Sequence, residues 1–359
     1  MEHIGIDLGK VASQICIKTE SAETVEMRIA TTPARLVEEL GRRPTSRIVL
    51  ESGTESEWVA RVLEQIGHEV IVADPNFAPM YSTRNKRIKT DRRDARALCD
   101  ACQKGDYRPA HRRSDEQRHV RAVLNVRDAL LHTRTSYINL IRAILRSHGL
   151  RLRSGVAESF IKRVEELEIP GRLKSQVAPL LALMAPLNKQ IRWSDRLLGM
   201  IVKGNEVVER LCTLPGVGPV TASAFVSTID KVERFQGSHQ LESYLGLVPS
   251  EYSSGEKQAR GKITKRGDRR MRCLLVEAAV GILRREDPRT ASLKEWAMRI
   301  ALRRGKKIAT VALARRLAGI LYAMWRDGST YRATVVETAA EDAQTANLQC
   351  SNSKTTSYD

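Results

Sequence analysis

The order of elements at the N-terminus limits what this chain can fold into more than any other feature. His3–Leu8 (HIGIDL), Ser13–Lys18 (SQICIK) and Thr24–Ala30 (TVEMRIA) are short runs rich in aliphatic residues, and Gly9 and Lys10 separate the first two. Apolar runs bounded by turn residues read as strands, and connections this brief make neighbouring strands antiparallel. A helical stretch, Pro33–Arg43, then leads to strand Arg47–Glu51, helix Glu55–Ile66 and strand Glu69–Ala73. Strands separated by helices are joined by crossovers, so these later strands are predicted to run parallel.

Two of these strands carry a carboxylate at a costly place. Asp7 lies inside Ile4-Gly5-Ile6-Asp7-Leu8-Gly9, and Glu51 closes the apolar run Ile48-Val49-Leu50. An ionised carboxylate on an apolar strand must be paired or must bind a cation. Farther on, Lys89-Thr90-Asp91-Arg92-Arg93-Asp94-Ala95 opens a helix with Asp91 and Asp94 three apart, a spacing that shares one face. Singly, each has an ordinary reading, since acids complement a helix N-terminus and end strands at the surface. Together, Asp7, Glu51, Asp91 and Asp94 suit metal-assisted phosphodiester chemistry, in which hard oxygen ligands converge from separate elements on magnesium. Three strands followed by alternating helices and strands is the order of the RNase H-like fold, expected over residues 1–110. A sugar-kinase reading of GIDLG fails for want of a later adenosine motif and a second set of three strands.

Beyond this domain a helical connector is expected over 111–204. Between Asp115 and Gly149 apolar pairs recur seven apart, at Val123/Leu124, Leu130/Leu131, Tyr137/Ile138 and Ile144/Leu145. That is the interval of a coiled-coil seam, serving either packing inside one subunit or self-association. Arg118, Arg121, Arg127, Arg134, Arg142 and Arg146 cover the other faces. Pro170, Gly171, Pro179 and Pro186 are expected to break the following stretch into shorter helices. A second domain, 205–332, reads as almost wholly helical: Glu206–Thr213, a helix through Val226, and three more from about Asp268 to Trp325. Residues 333–359 lack periodicity and are expected to be a disordered tail.

Lys and Arg total 60 against 42 Asp and Glu, a net charge of +18, which favours a polyanionic partner. One run of cations stands out in the second domain. Lys257, Arg260, Lys262, Lys265, Arg266, Arg269, Arg270 and Arg272 fall within sixteen residues, the density of a phosphate-binding segment. Just before them, Ser250-Glu251-Tyr252-Ser253-Ser254-Gly255 could supply a nucleophilic hydroxyl among cations, although Ser-Ser-Gly is also an everyday turn. Leu214-Pro215-Gly216-Val217-Gly218-Pro219 resembles a helix-hairpin-helix turn, in which Gly216 and Gly218 would bring backbone N–H groups to a phosphate. The scattered cysteines suit free thiols, Cys99 and Cys102 included, rather than a zinc site. No basic stretch precedes an apolar core at the N-terminus and no apolar run reaches spanning length. The expected location is the bacterial cytoplasm, at the nucleoid, without a membrane partner.

Asp7 in GIDLGK, Glu51 in VLESG, Asp91 and Asp94 in KTDRRDA, the helix VRDALLHTRTSYINLIRAILRSHG, LPGVGPVTA and GLVPSEYSSGE with GKITKRGDRRMR, in this order, resemble the insertion-sequence-110 family of transposases. The resemblance spans about residues 3 to 325. It implies a RuvC-like DEDD domain, a coiled-coil connector and a C-terminal transposase domain whose serine links covalently to DNA. It also implies magnesium held by Asp7, Glu51, Asp91 and Asp94, a structured noncoding bridge RNA, and a dimer or tetramer. Because the family's serine precedes a glycine, Ser254 is selected, with Ser253 second.

The expected protein is thus a magnesium-dependent DNA transposase guided by RNA. Two other readings stand beside it: a junction nuclease in which water attacks, and a nucleic-acid-binding protein without catalysis.

Overall fold

The computed structural model describes residues 1–21, 23–82, 90–254 and 257–333, with the backbone alone at 252–254 and 257–260. The N-terminal segment forms β1 (His3–Asp7), β2 (Ala12–Lys18), β3 (Thr24–Ala30), α1 (Pro33–Leu40), β4 (Arg47–Glu51), α2 (Ser56–Gln65) and β5 (Glu69–Ala73). Strand order is β3-β2-β1-β4-β5, with β1, β2 and β3 antiparallel and β4 and β5 parallel to β1. Both the meander and the crossovers are as the sequence predicts. Gly9 makes the tight first turn possible, because a Cβ there would lie 2.1 Å from the Ala12 carbonyl oxygen.

Side chains alternate across a strand, so each strand serves two layers. Ile4, Ile6, Ile15, Ile17, Ile48 and Leu50 pack under α1 and α2 against Leu36, Leu40, Val59 and Leu63. Burying each such side chain is worth about 1.5–3 kcal/mol. The opposite face is covered by α3 (Asp91–Lys104), capped at its start by the Thr90 hydroxyl and ended by Gly105 at φ 75°. Here Leu98, Ala101 and Cys102 meet Val49, while Cys99 and Ala95 meet Cys16. Cys99 and Cys102 are buried thiols, as expected. They donate to the carbonyls of His3 at 3.1 Å and Arg47 at 3.2 Å, pinning α3 to β1 and β4. Burial pushes the Cys102 thiol up to about 11, which keeps it protonated and inert.

The chain divides into two units, and the second begins at Arg113. Its first elements are α4 (Asp115–Ser147), α5 (Phe160–Glu165) and α6 (Gly171–Ile201). Helices α4 and α6 are antiparallel: Arg127 meets Asp195 at 2.5 Å, and one heptad on Arg134 meets Asn188 at 3.1 Å. Within this chain the seven-residue repeat seats α4 against α6, with Ile138, Ile141 and Leu145 packed on Val177 and Met184. The expected breakage of α6 does not occur. Pro179 and Pro186 sit inside one continuous helix, both exposed and two turns apart on the side away from the buried seam. Carbonyls that lose their partner there face water, and the apolar seam holds the helix together across them.

The rest of the unit comprises α7 (Glu206–Leu211), α8 (Pro219–Ile229), α9 (Ser238–Tyr244), β6 (Pro249–Ser254), β7 (Lys257–Ile263), α10 (Arg269–Arg284), α11 (Ala291–Arg304) and α12 (Lys306–Arg326). Phe225, Leu275, Leu313, Leu317 and Leu321 form its core together with Val120 and Leu124 of α4 and Leu198 of α6. The β6–β7 hairpin corrects the all-helical expectation. Its polar strands are held by backbone pairing, which leaves no apolar period to read. By length and composition alone α12 could span a membrane, contrary to the sequence reading, but its apolar face supplies the core of this unit. The tail expected at 333–359 lies, from 334 on, outside the described residues.

Gly5 lets α3 come down onto the sheet, since a Cβ would lie 2.2 Å from the Cys99 nitrogen and 2.3 Å from the Ala95 oxygen. Gly5→Ala should therefore cost ~2–3 kcal/mol by forcing α3 off the sheet. Gly53→Ala, where nothing lies within 4 Å, should change stability by less than about 0.5 kcal/mol. Urea unfolding of both variants checks this.

Candidate functional site

The four carboxylates come to one end of the first unit by a chain of simple geometry. Strands β1 and β4 are parallel neighbours, with Ile6 opposite Leu50. One step on, Asp7 and Glu51 end the two strands side by side, at the strand spacing of about 4.8 Å. Asp7 shares its face with Gly5, and Glu51 shares its face with Val49, both of which α3 covers. Helix α3 runs against β1: Ala95 and Cys99 lie over Gly5, and Cys99 reaches back to His3. The first turn of α3, with Asp91 and Asp94, is therefore at the end where Asp7 and Glu51 stand. Asp94 is 4% exposed, Asp7 and Glu51 are half-buried, and Asp91 is exposed.

Four carboxylates from two strands and one helix are the donor type that a hard divalent cation takes. The residues fit such an ion in kind and in their gathering at one end of the sheet. Among the described residues, however, no three His, Cys, Asp or Glu side chains converge closely enough to hold one ion. Three cations in this unit, Arg92, Arg96 and Lys18, have acidic partners of their own. Arg92 and Arg96 both pair with Glu26 on β3, and the Arg96 hydrogen bond foremost holds that carboxyl below its usual range. Lys18 pairs with Asp100 at 2.6 Å.

The basic segment of the second unit is a second candidate surface. Ser254 pairs with Lys257 and Ser253 with Gln258, so Gly255 and Glu256, outside the described residues, join the strands. Successive strand positions lie on opposite faces of a ribbon, so positions 253 and 254 do not share one. Of the remaining sequence-predicted cations, Lys257 and Arg260 are on β7, while Lys262, Lys265, Arg266 and Arg269 are exposed. The loop after β7 is tightly held: a Cβ on Gly246 would lie 2.7 Å from the Arg266 backbone, and Lys265 takes φ 57°. A non-glycine residue there stores about 1 kcal/mol or more of strain.

Arg272 is half-buried and donates to the Leu245 carbonyl at 3.1 Å, and Arg270 is likewise tied inward. It donates to Asp128 and, at 2.7 Å, to Asn125, tying the start of α10 to α4. Arg121 makes the parallel tie to Asp268 at 2.6 Å. Sequence reasoning missed Asp268, although an Asp three residues before Met271 is a recognisable helix cap. At the glycine turn both Gly216 and Gly218 are exposed; Gly216 has φ 90° and a Cβ on it would lie 3.2 Å from the Ala278 carbonyl oxygen, while Gly218 stands at the start of α8. No side chain caps that helix start.

Two family models match the chain. A family model described as "Transposase", for the DEDD domain of this group, matches residues 4–149. A second, described as "Transposase IS116/IS110/IS902 family", matches residues 208–295. The chain is 30% identical to the transposase for insertion sequence element IS1328 of Yersinia enterocolitica, over 91% of this chain and 98% of that one. It is 30% identical to the transposase for insertion sequence element IS1111A of Coxiella burnetii, over 92% and 91%. A probable family 20 transposase of Pseudomonas aeruginosa is 29% identical over 92% and 99%.

The Asp268 carboxyl carries a pH-dependent prediction. Burial raises its pKa, but the Met271 N–H and the Arg121 guanidinium outweigh burial and hold it below the usual aspartate range. A depressed acid stabilises the fold above its unfolded pKa of about 3.9, and this is lost as pH falls through the folded value. Asp268→Asn keeps the cap and removes the charge, so at pH 7 it should cost about 1–2 kcal/mol. In urea titrations the gap to wild type should narrow as the pH is taken below about 4.

Proposed function

This chain belongs to the IS116/IS110/IS902 family of insertion-sequence transposases, and from that we propose that it cuts and rejoins DNA with a serine nucleophile and magnesium. The observation that carries the proposal is the gathering of Asp7, Glu51, Asp91 and Asp94 at one end of the sheet. The strand order β3-β2-β1-β4-β5 supports reading residues 1–110 as an RNase H-like, RuvC-like domain. Residues 111–204 would be its connector and 205–332 the serine-bearing domain.

Asp7, Glu51, Asp91 and Asp94 would hold the cation. When bound, magnesium neutralises charge on the scissile phosphate and stabilises the leaving oxygen. Ser254, which precedes Gly255, would supply the attacking hydroxyl oxygen: a serine–phosphorus bond forms and a sugar oxygen departs as the strand opens. Rejoining reverses the exchange and frees the serine. Gly218 at the open start of α8, with Gly216 setting the turn, would meet a backbone phosphate. Lys257, Arg260, Lys262, Lys265, Arg266 and Arg269 would line the path of the nucleic acid, with Arg270 positioning α10 beneath them. Our reading includes a noncoding guide RNA, a dimer or tetramer, and action at the nucleoid.

A denaturing gel of the protein with magnesium, labelled element-junction DNA, target DNA and RNA transcribed from the flanking region tests this. Wild type and Ser253→Ala should give a labelled band that survives denaturant and vanishes with protease. Ser254→Ala should give none, and Asp7→Asn should cut at least about 100-fold more slowly. If Ser254→Ala cuts as well as wild type and no DNA is ever protein-linked, water is the nucleophile.

A further inference from the structure

At the far end of the α4–α6 pair, the turn after α4 borders an open hollow of about 380 Å³ lined by Arg142, Arg146, Leu150, Arg151 and Leu152. Among the described residues no carboxylate lines it. The turn is shaped from within: Gly149 ends α4 at φ 76°, and Arg163 of α5 donates to the carbonyls of Arg153 at 2.5 Å and Val156 at 2.7 Å. Phe160, fully buried, has the guanidinium groups of Arg142 and Arg163 each 5.7 Å from its ring centre. Stacking of this kind fixes the direction of a guanidinium without neutralising it.

Arginines along α4 and in the turn after it differ in their partners. Arg121, Arg127 and Arg134 each pair with a carboxylate, on Asp268, Asp195 and Glu158. Among the described residues Arg142, Arg146 and Arg151 make no ion pair, and the Nε of Arg142, like that of Arg134, is buried without a hydrogen-bond partner. Like charges held around one cavity repel unless an anion joins them, and guanidinium forks match phosphate oxygens. Leu124, in the C-terminal core, and Leu145, in the distal cluster, are far apart along one helix, about 32 Å at 1.5 Å per residue. That is close to one turn of a duplex, about 34 Å.

We propose that this turn is a second nucleic-acid contact, in which Arg142, Arg146 and Arg151 clamp a backbone phosphate of a polynucleotide that also engages the basic C-terminal segment. The clamp rests on the function proposed above and adds an anchor about one duplex turn from the C-terminal core. Because phosphodiesters come from DNA or RNA, the source is decided by experiment.

Binding of the full chain to labelled duplex DNA, to an RNA hairpin and to inorganic phosphate is measured against salt. Arg146→Ala/Arg151→Ala spares the stacked Arg142, and its melting temperature should match wild type. Its slope of log K against log salt should be shallower by about 2 for the polynucleotide that occupies the clamp, with affinity down about tenfold at moderate salt. Arg146→Lys/Arg151→Lys should recover the slope. Arg303→Ala/Arg304→Ala, an equal loss of charge on α11, should lose less than half as much. The clamp is refuted if the tip variant binds DNA and RNA as wild type does, if the α11 control loses as much, or if only inorganic phosphate distinguishes the variants. A wild type that cleaves DNA in those circumstances leaves the transposase mechanism standing, whereas one that binds neither polynucleotide overturns both.

Discussion

The contact of α3 with Gly5 is the constraint on which the first unit depends. With no side chain at residue 5, the helix backbone descends onto β1 until Ala95 and Cys99 touch it. The thiols of Cys99 and Cys102 then satisfy the carbonyls of His3 and Arg47. This approach decides where the first turn of α3 lies, and so decides that Asp91 and Asp94 share an end of the sheet with Asp7 and Glu51. The arrangement is costly for buried Asp94, and polar neighbours or a cation must compensate it.

In the second unit the organising interaction is the α4–α6 seam. Its two ends are apolar, one built into the C-terminal core and the other into a separate distal cluster. Between them Arg127 and Arg134 bond to Asp195, Glu158 and Asn188. Such pairs add little stability where they are exposed, but they set register, because a slip would leave half-buried guanidinium groups unpaired. The large positive charge of the chain is therefore not one reservoir. Some cations, Arg121 and Arg270 among them, hold helices together, while Lys262, Lys265, Arg266 and Arg269 face solvent.

On the function proposed above, an acidic cluster and a basic segment belong together in one chain. Phosphodiester exchange needs acidic oxygen ligands where a cation can sit and basic groups where the nucleic acid lies, and these would neutralise one another if mixed. Here Arg92 and Arg96 beside the acidic cluster are drawn aside by Glu26. The basic loop after β7 is likewise stiffened by its backbone packing against Gly246.

The sequence by itself determined the elements of the first unit, because period-2 and helical apolar patterns there are strong and bounded by turns. It determined the candidate carboxylates too, since an acid on an apolar strand is conspicuous. It pointed to free thiols at 99 and 102, and the structure buries both. It misread α6, where Pro179 and Pro186 looked like breaks, because local propensity cannot see that both fall on the exposed side of a helix held by its partner. It missed the β6–β7 hairpin, whose polar strands leave no periodic trace. Only tertiary structure separated the arginines of α4 into paired and unpaired. Whether a long cationic side chain meets a carboxylate depends on residues some 24 to 147 positions away along the chain, which packing alone brings together.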